Sequence, residues 1–112
     1  MNAVQLNRRL VLETPSQESD GAGKFSLVWV QAGVLWAEVV PGAGSDRAGV
    51  EVSLAKVPYR ITVRGAPVGS PARPRPDQRM TDGGRVFVIA AVTEQDASGL
   101  YLTCFAREEK PQ

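Results

Sequence analysis

The sequence predicts an all-β domain, a small antiparallel β-barrel of six or seven short strands with long inter-strand loops. Three observations carry this reading. Short runs rich in β-branched and aromatic residues recur along the chain, and several alternate apolar with polar side chains at the period of a strand. Clusters of glycine, proline and aspartate separate them. No apolar pattern of helical period persists over three turns. A closed barrel is favoured over an open sheet because closure removes the edges that strands this apolar would otherwise expose.

The first predicted strand is Leu6 to Glu13, with Leu6, Arg8, Leu10 and Leu12 on one face and Asn7, Arg9, Val11 and Glu13 on the other. Thr14 to Lys24 is polar, opens near a proline and closes on Asp20-Gly21-Ala22-Gly23, which is the composition of a loop. Phe25 to Val30 and Val34 to Val40 read as two further strands. Gln31, Ala32 and Gly33 lie between them, and a bulge or tight turn near Gly33 would let Trp29 and Trp36 both contribute to packing. Pro41 to Gly49 carries glycine or proline every two or three residues and is read as a mobile loop. Val50 to Val57 alternates as another strand, stopped by Pro58. Tyr59 to Arg64 gives the cleanest half-buried pattern, with Tyr59, Ile61 and Val63 inward.

Gly65 to Gly84 holds Pro67, Pro71, Pro74 and Pro76 together with Arg73, Arg75 and Arg79, so it is expected to be extended and partly polyproline-like. Asp82-Gly83-Gly84 turns the chain into a C-terminal hairpin. The hairpin's first strand follows Arg85 through a nearly unbroken apolar run to Val92, and its second is Leu100 to Arg107. Leu100, Leu102, Cys104 and Ala106 share one face of the latter. The connection Thr93 to Gly99 is exposed turn chemistry. One domain over 1–112 is therefore expected, with flexible loops at 41–49 and 65–82 and a frayed tail at 108–112.

With 112 residues the chain can bury about two-thirds of its unfolded surface, enough for one core without staples. One cysteine, Cys104, leaves no intrachain disulfide and too few ligands for a zinc site. The absence of histidine removes the usual general base near neutral pH and the commonest metal ligand, so enzyme readings lose weight. No stretch resembles a secretory signal or a membrane span, which points to a soluble protein made in the cytoplasm. Residues 1–55 carry 4 basic and 6 acidic side chains, residues 56–93 carry 7 and 2, and residues 94–112 carry 2 and 4, so the middle of the chain is a basic island.

Few residues invite chemistry. Asp20-Gly21-Ala22-Gly23 lacks the lysine, hydroxyl residue and helix of a phosphate loop and is read as a structural turn. Glu94 and Asp96, alternate residues of an exposed loop, are read as solvated rather than as an acid/base pair. Cys104 lies mid-strand with no histidine to activate it, and Trp29 and Trp36 are read as core residues. Arg73, Arg75 and Arg79 are the candidates for nucleic-acid contact, because arginines on a proline-stiffened segment can follow phosphates without reading sequence. The opposing reading pairs them with acidic surface or leaves them solvated.

The order of these features resembles the phage head-tail joining family, the head closure or stopper proteins. The resemblance rests on Leu6, Arg9, Leu10 and Leu12, on Asp20-Gly21-Ala22-Gly23 followed by Trp29, and on Leu35-Trp36-Ala37-Glu38-Val39. In the second half it rests on Tyr59-Arg60-Ile61-Thr62-Val63-Arg64, on Asp82 to Ile89 and on the Leu100 to Glu108 ending. It covers nearly the whole chain, and the composition points to the version found in gene transfer agents, the phage-like particles that package host DNA. The resemblance implies a non-enzymatic connector without cofactor or membrane contact, made in the bacterial cytoplasm and built into the particle neck. It further implies a homo-oligomeric ring, sixfold in preference to twelvefold, with portal and adaptor proteins above, a tail terminator or tail tube below, and non-specific contact with packaged double-stranded DNA. Under this resemblance Arg73, Arg75 and Arg79 are the candidate ring-contact or DNA-channel loop, and Gly42, Ser45, Asp46 and Arg47 the candidate inter-subunit loop. Two other readings remain open: a nucleic-acid-binding barrel of oligonucleotide-binding type using the basic 60–85 region, and a tail terminator of the same particle.

Overall fold

Leu10 and Leu12, Ile61 and Val63, Phe87 and Ile89, and Leu102, Cys104 and Ala106 occupy alternate positions of four strands. All can be buried together only if those strands turn the same faces toward one axis. In the computed structural model, which describes residues 3–42 and 56–109, they do, and none of these side chains is more than 3% exposed. The strands are β1 (Arg8–Ser19), β2 (Phe25–Pro41), β3 (Lys56–Arg64), β4 (Arg79–Asp82), β5 (Arg85–Glu94) and β6 (Tyr101–Glu109). Every neighbouring pair is antiparallel, and the sheet closes into a barrel in the order β1-β2-β3-β6-β5-β4. Met80 and Ala37 complete the buried cluster, with Leu35, Val39, Tyr59 and Val92 packed against it. Each large apolar side chain so buried contributes about 1.5–3 kcal/mol.

The two barrel mouths are closed differently. At one, inward-facing charges pair across strands. Arg85 meets Glu108 through Nε–Oε2 at 2.8 Å and Nη2–Oε1 at 3.0 Å, and Arg8 Nη2 meets Asp82 Oδ2 at 2.5 Å. Beneath them Tyr59 and Phe87 form an edge-to-face pair with centroids 5.2 Å apart. At the other mouth, residues 65–78 fold back over the barrel. Pro74 is fully buried there, and Gln78, 3% exposed, accepts from the Arg75 amide through Oε1 at 2.7 Å. Gln78 is also tied to Ile89, whose amide donates to its carbonyl.

The hairpin β5–β6 pairs as its alternation predicts, from Val86 opposite Glu109 to Glu94 opposite Leu102. Two residues, Gly83 and Gly84, turn β4 into β5, and Gly83 has φ 62°, a conformation that favours glycine. Elsewhere several expectations are corrected. Thr14 to Ser19 is strand rather than loop, because one partner, Phe25 to Val30, suffices to satisfy it; Pro15 is tolerated since β1 pairs with β4 only through Glu13. The two expected strands 25–30 and 34–40 are one 17-residue strand, continuous through a bulge at Ala32, which falls where Leu12 pairs Gly33 and Glu13 pairs Gln31. Trp36 alternates with the inward Leu35 and Ala37 and is 54% exposed, and Trp29 is half-buried on the ribbon outside the buried cluster, so neither is a core residue. Leu6 precedes β1 and is only half-buried.

Residues 65–82 are not a single flexible loop: 65–78 form the cap and Arg79 to Asp82 form β4, a strand whose Arg-Met-Thr-Asp sequence gives almost no apolar signal. Glu108 and Glu109, expected in a frayed tail, extend β6, because Arg85 draws Glu108 into the barrel mouth. The expected loop 41–49 lies outside the described residues apart from Pro41 and Gly42, as does the expected strand at Val50 apart from Lys56 and Val57.

Candidate functional site

The barrel supplies a rigid body, and two features of its outer surface stand apart from it. The first is an arm. Beyond Glu13, where the pairing with β4 ends, β1 and β2 continue as a two-stranded ribbon through six residue pairs, from Thr14–Val30 to Ser19–Phe25. At strand rise this is about 20 Å of ribbon. It helps to stretch the molecule to 56 × 37 × 23 Å with a radius of gyration of 15.4 Å, against about 13 Å for a compact chain of this length. The tip is closed by Asp20, whose Oδ1 accepts from the amides of Ala22 and Lys24 at 2.7 and 3.2 Å. Asp20 to Gly23 is thus a structural turn, as its composition indicates.

The arm is apolar where it should be polar. Phe25 and Leu27 share the outer face and are 66% and 61% exposed, and on the opposite face Val30 is 48% exposed. A protein surface tolerates single exposed apolar residues, but Phe25 and Leu27 side by side on one face of a protruding ribbon mark an interaction surface. An isolated two-stranded ribbon is marginally stable in water. Its base is therefore braced. Arg79, on β4, donates from Nε to Glu13 Oε1 at 2.6 Å and lies over the Trp29 ring with its guanidinium carbon 4.2 Å from the centroid.

The second feature is a shallow groove of about 280 Å³ on the outer face of β3, β6 and β5, floored by Pro58, Ala90 and Phe105 and flanked by Arg60 and Arg107. Phe105 is 41% exposed. A bulge at Ala90, between Ile89 paired with Ala106 and Ala91 paired with Phe105, opens this space. Neither Arg60 nor Arg107 makes an ion pair among the described residues.

The structure separates the three candidate arginines. Arg79 braces the arm. Arg73 donates from Nη1 to the Ala66 carbonyl at 3.0 Å and lies 3.8 Å from Glu94. Arg75 is exposed and shares with Arg73 a depression of about 370 Å³ beside Thr14 and Gln78. Two of the three are thus committed to contacts within the chain. Of the candidate inter-subunit loop, Gly42 extends the β2–β3 ladder by donating its amide to the Pro58 carbonyl at 2.8 Å, and Ser45, Asp46 and Arg47 lie outside the described residues. Glu94 partners Arg73, and Asp96 caps its own turn by accepting from Ser98 Oγ and the Gly99 amide.

Three further titratable groups, Cys104, Glu108 and Arg85, serve the fold. Burial pushes the Cys104 thiol up to about 12, so it is neutral and unreactive near neutral pH. The hydrogen bonds with Arg85 hold the Glu108 carboxyl below the usual carboxylate range, and the same bonds raise Arg85. Among the described residues no cluster of metal-ligating side chains occurs.

The described residues form a closed all-β barrel that carries a braced apolar arm. Residues 1–109 match the family described as phage head completion protein, and the chain belongs to that family. A chain of a native gene transfer agent particle virion is 53% identical over 98% of each chain, with a TM-score of 0.76. The solution structure of protein SF1141 from Shigella flexneri 2a, 24% identical with 100% of each chain covered and a TM-score of 0.72, shares the fold. Among curated protein sequences, nothing matches the chain.

Sequence reasoning did not find the arm. Phe25 to Val30 is apolar at nearly every position, the signature of a strand buried on both faces. The available signal was its partner: only a polar segment, Thr14 to Ser19, precedes it, and such a segment cannot cover two apolar faces.

Proposed function

We propose that this chain is a structural connector of a gene transfer agent or related phage-like particle, which closes the DNA-filled head and presents a docking surface to the tail. The observation that carries the reading is the family match over residues 1–109, joined to 53% identity with a chain of a gene transfer agent virion. The architecture supports it, since a barrel plugged at both mouths is a rigid unit and the exposed apolar residues of its arm are left uncovered among the described residues. In this reading copies assemble head to tail into a ring, sixfold in preference to twelvefold, beneath the portal and adaptor and above the tail terminator or tube, and the ring retains packaged DNA. Contact with DNA is non-specific and falls to Arg75, the exposed member of the arginine set.

The test is deletion of the chain from a producing strain, followed by imaging of particles and measurement of encapsidated DNA. Heads that leak DNA and lie apart from finished tails support the reading. Full, tailed particles refute it. Strong salt-dependent DNA binding by the isolated protein would instead favour a nucleic-acid-binding barrel.

A further inference from the structure

We infer that the outward row Arg9, Trp36, Arg64 and Tyr101, together with the depression beside it, docks an acidic surface of a different protein of the particle. The inference rests on the connector reading and gives the partner's chemistry. Strand register builds the row. Leu10, Ala37, Val63 and Leu102 are each fully buried, so their chain neighbours Arg9, Trp36, Arg64 and Tyr101 turn to the outer wall. Arg9 pairs Trp36 and Arg64 pairs Tyr101, while the pairing of Ala37 with Val63 sets Trp36 beside Arg64. The adjacent strands β1, β2, β3 and β6 thus line up arginine, tryptophan, arginine and tyrosine over about 14 Å. Next to Trp36 and Arg64 lies a depression of about 490 Å³, lined otherwise by apolar groups such as Leu6, Val34, Ala66 and Ala72.

Charge and residue type select the partner. Both arginines are exposed and make no ion pair among the described residues, although they stand on either side of Trp36, their strands about 10 Å apart. Two like charges left this close call for an anionic counterpart, and a planar guanidinium holds a carboxylate through two parallel bonds. Trp36, 54% exposed, Tyr101 and the arginines are the residue types enriched in protein interfaces. A nucleic acid fits less well. Glu38, the next outward residue of β2, sets a negative charge beside the row, which a phosphate backbone avoids, and the depression offers a single charged group, Arg64, among apolar ones. A second copy also fits less well, because most of its described acids are already engaged: Glu13, Asp82, Glu94 and Glu108 in ion pairs, Asp20 and Asp96 in their own turns. Carboxylates of another protein against Arg9 and Arg64, with an apolar side chain in the depression, satisfy the whole row.

The test compares the native chain, isolated and in purified particles, by hydroxyl-radical footprinting read by mass spectrometry. Trp36 is expected to be oxidised about tenfold more slowly in particles, because an interface excludes water from its central side chains. Full, tailed particles that contain the chain with Trp36 as reactive as in isolation overturn the docking and leave head closure standing. Full, tailed particles without the chain overturn both. The partner is read from particles whose chain carries the photocrosslinking residue p-benzoylphenylalanine in place of Trp36. The expected adduct is to another particle protein, within a segment bearing Asp or Glu. An adduct to a segment without them, to a second copy or to DNA overturns the inference, as does the absence of any adduct in particles that contain the chain. Charge variants cover a photocrosslinking chain that fails to enter particles. Arg9→Glu/Arg64→Glu is expected to lower the yield of tailed particles by about tenfold at unchanged melting temperature. Unchanged yield overturns the docking.

Discussion

Arg79 is where two accounts of the basic segment diverge most sharply. As a free loop arginine it would be dispensable to the fold; in the structure it bonds Glu13 at 2.6 Å and covers Trp29 at 4.2 Å, with its side chain 26% exposed and that of Glu13 21% exposed. A hydrogen bond between charged partners contributes about 1.5 kcal/mol at this degree of burial, and a partly exposed cation–π contact about 0.5–1 kcal/mol. Arg79→Ala is therefore expected to cost about 2 kcal/mol, which for a domain of this size moves the urea midpoint by about 1 M. Arg79→Lys keeps the charge and loses the planar fork, so it recovers about half of that. A double-mutant cycle with Trp29→Leu isolates the stacking contribution, with a coupling of about 0.5–1 kcal/mol. The measurement is equilibrium urea denaturation followed by circular dichroism. A loss within about 0.5 kcal/mol, with no coupling to Trp29, would show that the brace does not exist and return Arg79 to the exposed basic surface.

Three further outcomes follow from the same structure. A Cβ added at Gly65 would sit 2.0 Å from the Gly99 carbonyl oxygen, so Gly65→Ala is expected to cost about 1–3 kcal/mol, read by thermal denaturation. Glu108 has a depressed folded pKa, so its pairing with Arg85 stabilises the protein above the ordinary carboxylate value of 4.5 and is lost as pH falls through the lower folded value. Glu108→Gln should accordingly be less stable than the parent at pH 7, and the gap should narrow below pH 4.5 in denaturation series at several pH values. The pair Phe25→Ser and Leu27→Ser should change stability by less than about 0.5 kcal/mol, because both side chains are largely exposed, yet sharply reduce the yield of tailed particles.

The barrel was legible in the sequence because its inward faces alternate cleanly. Ile61 and Val63, and Leu102, Cys104 and Ala106, lie inside as their period requires. Three parts were not legible, each for a physical reason. Strand β4 takes its pairing from β1 and β5, and only Met80 within it is buried, so local propensity carries no sign of it. Ser16 to Ser19 is polar because both its faces meet solvent, and polar composition is shared by loops and exposed ribbons. Glu108 reads as part of a charged tail until Arg85, 23 residues earlier, is brought across the barrel mouth. The candidate site was legible only in part. The sequence marked the arginines of residues 73–79, but their division into an arm brace, a cap contact and an exposed residue depends on register between distant strands.

The central claim, that this chain closes the head and joins it to the tail, is tested most directly by electron cryo-microscopy of particles from a strain lacking it, with DNA content measured on the same preparation. The account predicts heads depleted of DNA and separated from complete tails. Normal numbers of tailed, DNA-filled particles would contradict it.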